Sequence, residues 1–398
     1  MKKSILIATA VFPPEPVVSA RISREIADKL MASHEVVVLC PRPSRPAGFN
    51  FEGKSSDFKG KVVYLDSYIC AESSVIRRFK ESISFGRHLA DFIKQNSNNI
   101  SCVYANVWPL FAQWIVVKTC RMLNIPCVLQ IMDVYPESLT EKLRFPLANI
   151  IKAIFLPVDK QIIRHASKVI VISDRMKNYL TESRKMCPDK MVVVRNWQDF
   201  RNADTSEMKV IQDEFLVMYA GSISPTANLP FIINAFLKLN QENVKLMIAG
   251  DGSDKAICEK IVRESANNQI NFCTFNPDEV FALQARANLL ILSLQKGISK
   301  TATPSKLTSY LFSEKPVLAC VEKDSDVADI LLGAGCGFIA EPDNEVDLLK
   351  KLKEIVALPA EVLTEMGKRA GKYAVNHFSA EINLKKVTEI IEKEMHEQ

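Results

Sequence analysis

No apolar stretch of the sequence approaches the roughly 20 residues that a helix needs to cross a bilayer, so no membrane span is expected. Low-complexity tracts are also missing, which excludes a disordered or fibrous chain. The 10 cysteines run from Cys40 to Cys336 without one C-x-x-C pair, and Cys40, Cys127, Cys273 and Cys320 fall in strand-like runs. They read as small buried hydrophobes in a reducing cytoplasm. The five histidines, His34, His88, His165, His377 and His396, lack metal-ligand spacing, and His34 is expected to begin a strand and pack there. Aromatic residues are not interleaved with basic ones as single-strand binding requires, so nucleic acid is not an expected partner.

What is present is the composition of a globular protein, with 398 residues, 47% hydrophobic and 24% charged, a length that suits two cores. Lys2 and Lys3 followed by Ile5 to Phe12 resemble the opening of a signal peptide, with Ala8-Thr9-Ala10 as a cleavage site. That leader would be far too short, so the segment reads as a buried first strand ended by Pro13-Pro14. The net charge of +5 hides an asymmetry: residues 1–200 hold 29 Lys and Arg against 18 Asp and Glu (+11), and the rest hold 22 against 28 (−6). A basic half suits anionic partners such as a phosphorylated substrate or phospholipid headgroups.

Short β-branched runs alternate with helical segments, the pattern of parallel sheets built from βαβ units. Seven runs lie in the first half, at 5–10, 36–40, 62–65, 103–105, 128–131, 169–173 and 192–194, and their apolar character implies burial on both faces. Six follow, at 215–220, 244–249, 270–273, 289–292, 316–321 and 338–340. The expectation is an α/β chain of two Rossmann-like, doubly wound domains, 1–200 and 201–378, with the polar stretch 198–212 as linker and a last helix in 379–398 carrying Ile382, Val387, Ile390 and Ile391. Ser19 is expected to cap a first helix whose buried face holds Ile22, Ile26 and Leu30.

Ligands of open parallel sheets bind beyond the carboxyl ends of the strands. After the first strand, Phe12-Pro13-Pro14-Glu15-Pro16 leads into Ser19 and a helix with Arg21 and Arg24 near its start, where the helix N-terminus, aided by Arg21, would hold an anion; a rigid proline turn with a solvated helix explains them equally well. After the fifth run, Asp133 and Glu137 could orient sugar hydroxyls or accept a proton, while Asp133 or Ser138 could equally cap a helix. In the second half Gly221-Ser222 and Asp251-Gly252 are tight turns that would let backbone approach a phosphate, and Pro304, Ser305 and Lys306 open a helix suited to a diphosphate or simply to a solvated lysine. Asp324-Ser325-Asp326 fits a loose D-x-D metal pattern but reads as a structural turn, so no metal site is assigned.

In that order, Phe12-Pro13-Pro14-Glu15-Pro16, Asp133-Val134-Tyr135-Pro136-Glu137-Ser138, Tyr219-Ala220-Gly221-Ser222, Ile248-Ala249-Gly250-Asp251-Gly252 and Pro304-Ser305-Lys306-Leu307 make nearly the whole chain resemble the family 4 glycosyltransferases of the two-Rossmann (GT-B) type that build bacterial surface polysaccharides. The resemblance implies two domains facing a cleft, a last helix that returns to the first domain, and retaining transfer without a metal or other cofactor. It implies a nucleotide-sugar donor, taken here as a UDP-sugar, held by Gly221, Ser222, Asp251, Gly252, Phe275, Asn276, Pro304, Ser305, Lys306, Leu307 and Ser309. Asp133 and Glu137 would lie near the transferred sugar, Lys306 would support the leaving phosphates, and Glu15, Ser19 and Arg21 would meet a saccharide or lipid-linked acceptor in O-antigen, capsule or exopolysaccharide assembly.

The departures are specific. The loop from Gly221 to Asn228 holds no cation where relatives carry Arg and Lys, and the family's two glutamates are replaced by Thr301 and Ser309. A catalytically inactive scaffold of the same fold is therefore the competing expectation. Basic residues beside apolar stripes, Arg77, Arg78, Lys80 and Arg87 with Phe79, Ile83, Phe85 and Leu89, and Lys142, Arg144, Lys152, Lys160 and Arg164 with Phe145, Ile150, Ile151, Ile154, Phe155 and Leu156, imply a cytoplasmic protein peripheral on the anionic inner face of the plasma membrane, unless those apolar faces are core.

Overall fold

The computed structural model describes residues 3–45, 49, 51, 57–70, 74–140, 146–198, 214–265, 267–276, 279–300 and 304–396. They form two compact units, one of residues 1–196 with 381–398, the other of residues 197–380. Most of the linker stretch, Thr301 and the Lys142–Phe145 segment lie outside the described residues.

The first unit is built on seven strands, β1 (Ser4–Thr9), β2 (Val36–Pro41), β3 (Lys61–Leu65), β4 (Ile100–Asn106), β5 (Cys127–Ile131), β6 (Lys168–Val171) and β7 (Met191–Val193). They pair in parallel in the order β3-β2-β1-β4-β5-β6-β7. β1, β2, β4 and β5 are buried along almost their whole length, as their unbroken apolar runs require. β3 is not: as an edge strand it leaves Lys61 and Tyr64 exposed.

Helix Val18–Met31 buries Ile22, Ile26 and Leu30 against the sheet, but Val17 occupies the N-cap position and no side chain caps it, so Ser19 sits within the first turn. Phe85 and Leu89 of helix Val75–Gln95 are wholly buried, which makes them core residues. The last helix, Ala380–His396, belongs to this unit: Val387 and Ile391 are buried, Asn383 accepts the Arg195 backbone N–H at 3.1 Å, and Glu392 lies 2.9 Å from His34. His34 thus lies in the turn before β2 and tethers this helix.

The second unit carries β8 (Phe215–Ala220), β9 (Val244–Ala249), β10 (Ile270–Cys273), β11 (Leu289–Ser293), β12 (Val317–Cys320) and β13 (Gly337–Ala340), parallel in the order β10-β9-β8-β11-β12-β13. Each face of this sheet has its own apolar cluster, one around Val217, Leu246 and Ile291, the other around Met218, Leu290 and Leu307. In both units the strand order reverses direction once, between β1 and β4 and between β8 and β11, and an open parallel sheet leaves a crevice there at the carboxyl ends of the strands.

Candidate functional site

In the second unit the turns after β8 and β9 lie back to back. The Gly221 N–H donates to Ala249 O at 2.9 Å and the Ile223 N–H to Asp251 O at 2.8 Å. A Cβ on Gly250 would meet Gly221 O at 2.0 Å, and φ there is +147°. Only glycine allows this approach, so the paired glycine turns are a packing requirement as well as an open backbone edge. Asp251 folds back on the adjacent Gly252 N–H at 2.8 Å, and Ser222 is exposed.

Helix Ser305–Phe312 enters this corner from beyond β11. Lys306 and Tyr310 are four residues apart and share a face, and both reach the end of β8. The β8–β11 ladder stops at Met218–Leu290, and the Tyr310 hydroxyl takes over from the missing strand by accepting the Ala220 N–H at 2.8 Å. Lys306 Nζ donates to the Tyr219 hydroxyl and sits 4.2 Å from that ring's centroid. A Cβ on Gly221 would lie 3.2 Å from Lys306 Nζ, so the lysine rests directly on the glycine turn. Among the described residues no carboxylate is paired with Lys306, and burial holds its pKa down at about 8. A half-buried cation without a counter-charge, on a glycine turn at a helix start, is an arrangement that an anion completes.

Two other residues expected at this site turn inward. Leu307 is fully buried in the core, and Ser309 is buried with its hydroxyl donating to Gln284 Oε1 at 2.9 Å. Both are spent on the domain's own packing and hydrogen bonding. Pro304 and Ser305 open the helix without a side-chain cap, and Ser305 is exposed. Phe275 packs partly against the second core cluster, and the Asn276 backbone oxygen accepts the Glu279 N–H at 2.9 Å. Asp324-Ser325-Asp326 is a helix start in which Ser325 accepts the Ala328 N–H at 3.2 Å.

In the first unit two cavities meet at Trp108, Pro109 and Asp133. One, of about 150 Å³, has a mixed lining in which Ser19, Asn106, Gln113, Gln130 and Asp133 are the polar side chains. The other, of about 440 Å³, is flanked by Val75, Phe79, Tyr135 and Leu139 with Arg78. Ser19 and Asp133 are thus brought to one cavity. Arg21 pairs with Glu25 along its own helix at 2.8 Å. Glu15 is buried and accepts the backbone N–H groups of Phe12, Ser44 and Arg45 at 3.0, 2.8 and 2.8 Å, holding two loops together. Both carboxylate oxygens of Glu15 are thus engaged by the chain's own backbone.

Glu137 is likewise committed. Its carboxylate receives both Arg184 Nη atoms, at 2.9 and 2.8 Å, and the Tyr179 hydroxyl at 2.8 Å. Arg184 also binds Asp159 at 2.7 Å and Tyr135 O at 2.7 Å, and its side chain is 0% exposed. Burial of Glu137 opposes its ionisation, but the Arg184 fork and the Tyr179 hydroxyl outweigh it and hold its pKa down at about 2. Glu137 is therefore placed as the anchor of the Asp133 loop. Sequence reasoning missed Tyr219, Tyr310, Trp108, Gln130 and Arg184. Only Tyr219 stood in a quoted motif, and the others carry no local signal, because their roles arise from contacts 47 to 90 residues away or from a shared cavity wall.

The family model described as Glycosyltransferase Family 4 matches residues 19–200, and that described as Glycosyl transferases group 1 matches residues 201–376. The chain is 22% identical to a probable glycosyltransferase, WbjE, of Pseudomonas aeruginosa, over 66% of this chain and 67% of that protein. It is 20% identical to a putative colanic acid biosynthesis glycosyl transferase, WcaI, of Escherichia coli K12, over 50% of this chain and 51% of that protein. Its fold is similar to that of Anabaena Alr3699/HepE solved in complex with UDP, with a TM-score of 0.70 at 15% identity, covering 98% of this chain and 100% of that one.

Proposed function

We propose that this chain, which belongs to the family 4 glycosyltransferases of the two-Rossmann type, moves a sugar from a nucleoside diphosphate, UDP in preference to GDP, onto a saccharide or lipid-linked acceptor in surface-polysaccharide assembly, with retention of configuration. The observation that carries the reading is Lys306, a desolvated cation resting on the Gly221 turn whose partner among the described residues is a neutral hydroxyl. As the donor's C–O bond breaks, negative charge grows on the leaving diphosphate. Lys306, the first-turn N–H groups of helix Ser305–Phe312 and the glycine-turn backbone stabilise it, with no metal required of the chain. Asp133 is assigned to the acceptor side, where it orients a hydroxyl or takes its proton. The likeness to WcaI supports a polysaccharide product, and the UDP bound by HepE supports the choice of nucleotide.

The acceptor reading includes contact with an anionic membrane. Val75 and Ile76 at the start of one helix and Leu147, Ile150 and Ile154 along another are exposed, and the Phe79–Phe155 ring contact joins the two helices. Arg77, Arg78, Lys80 and Lys152 lie beside them, each near-surface cation contributing about 1 kcal/mol on an anionic leaflet. Among the described residues no helix is long and apolar enough to cross a membrane.

Titration calorimetry with UDP and GDP, followed by incubation with a panel of nucleotide sugars and lipid-linked acceptors, tests the proposal. UDP binding with sugar transfer is expected, and the absence of binding at millimolar nucleotide refutes it. Binding without turnover would favour the scaffold reading, for which the inward-turned Ser309 is the supporting observation.

A further inference from the structure

We propose that Tyr219 is a positioning residue for Lys306, acting through its hydroxyl to hold the ammonium over the Gly221 turn. The inference rests on the diphosphate reading of Lys306. Tyr219 belongs to β8, is wholly buried and fills the first apolar cluster of the second unit, so its ring is fixed by packing. Its hydroxyl proton is committed, donating to Ser222 O at 2.6 Å. The hydroxyl therefore has only lone pairs left to offer, and Lys306 Nζ is the donor that meets them. One tyrosine oxygen thus ties together the carbonyl after the glycine turn and the cation above it.

The alternatives open to Lys306 are few. No carboxylate is paired with it among the described residues, and the built Cβ of Gly221 would come within 3.9 Å of the Tyr219 hydroxyl and 3.2 Å of Lys306 Nζ, so these three groups enclose one small space. A lysine has four rotatable side-chain bonds, and without a fixed acceptor its ammonium would sample other rotamers. Held by Tyr219, it stays at the turn before any donor binds, and its charge does not have to reorganise when the diphosphate leaves. An aspartate in the place of Tyr219 would hold the lysine more tightly but would neutralise it. The neutral hydroxyl fixes position and leaves the charge for the ligand.

The test is a double-mutant cycle of Tyr219→Phe, which keeps the packing ring, with Lys306→Ala. In the wild-type background Tyr219→Phe is expected to lower kcat/KM for the nucleotide sugar by about tenfold to a hundredfold, the range for a hydrogen bond to a charged group. In the Lys306→Ala background it is expected to change kcat/KM less than about twofold, since the hydroxyl then has no cation to place. Equal losses in both backgrounds, or none in the wild type, would overturn the proposal. A second measurement does not depend on turnover: the rate at which an amine-acylating reagent modifies Lys306, followed by peptide mass spectrometry. That rate is expected to rise in Tyr219→Phe, and an unchanged rate overturns the positioning role even where transfer activity stands. If UDP gives no protection of Lys306 in the wild type, the diphosphate reading fails and this proposal falls with it; if UDP protects Lys306 but Tyr219→Phe leaves its rate unchanged, only the positioning role fails.

Discussion

Lys306→Met removes the ammonium while keeping an unbranched chain of similar reach, so it separates what the charge does for catalysis from what it costs the fold. A pKa held down from the ordinary 10.5 to about 8 by burial corresponds, at about 1.36 kcal/mol per tenfold, to about 3 kcal/mol of unfavourable charge burial, an upper bound because the side chain is only half-buried. Below pH 8 the folded protein bears that cost in full. Between pH 8 and 10.5 the unfolded chain binds more protons at this lysine than the native one, so stability rises with pH across the window. Lys306→Met should therefore melt at the same temperature as the wild type or higher at pH 7, and its stability should lose the rise above pH 8. Turnover should fall by about a hundredfold to a thousandfold, the effect of deleting one donor aimed at developing charge. In the wild type the alkaline limb of kcat/KM for the donor should fall as Lys306 loses its proton near pH 8. Thermal melts over a pH series beside steady-state kinetics decide the matter. A variant that is clearly less stable at pH 7 and turns over normally would refute the reasoning, because Lys306 would then be a structural lysine away from the phosphates.

Arg184→Met strips the buried Asp159 of its cation and leaves Glu137 with only the Tyr179 hydroxyl and the more distant Lys152, at 3.5 Å, and should cost about 3–5 kcal/mol in a denaturant melt, whereas adding Glu137→Gln and Asp159→Leu to it should recover most of that loss. The stability that Glu137 gains from Arg184 is present above its ordinary pKa of 4.5 and is lost as pH falls toward about 2; urea midpoints should track this in the wild type and not in Glu137→Gln. Gly250→Ala drives a Cβ into Gly221 O and should destabilise the second unit by about 3 kcal/mol or more, seen as loss of its melting transition and of UDP binding, while a soluble variant with normal UDP affinity would contradict the packing account. Vesicle flotation should recover more protein as anionic lipid rises and less as salt rises, and Ile76→Asn with Ile150→Asn should weaken it; equal recovery throughout would dismiss the membrane face.

Much of the architecture is legible in the sequence. All 13 β-branched runs are strands, because a strand buried on both faces must be apolar at every position and such runs stand out locally. β3 departs from this where the sheet ends and solvent begins, which a run of five residues does not announce. The turn motifs around Gly250 and Gly252 are likewise visible, since a Cβ at either would run into a backbone oxygen about 2 Å away and no other residue is admitted. Chain order, strand identity and the glycine corners are local properties, encoded by neighbours in the sequence.

The tertiary structure alone decided which polar groups remain available. Glu15 and Glu137 stand in the motifs as open carboxylates, yet one is consumed by three backbone N–H groups and the other by Arg184, 47 residues onward. Ser309 is turned to Gln284 across 25 residues, and Leu307 of the same motif is core. Lys306 stands in the opposite sense, a cation with no carboxylate paired to it among the described residues and with its ammonium donating to the hydroxyl of a tyrosine 87 residues earlier. Sequence spacing reveals what a residue type is able to do. Whether its hydrogen-bonding capacity is already spent depends on partners that only chain folding brings within 3 Å, because a buried polar group must find a partner wherever the fold supplies one.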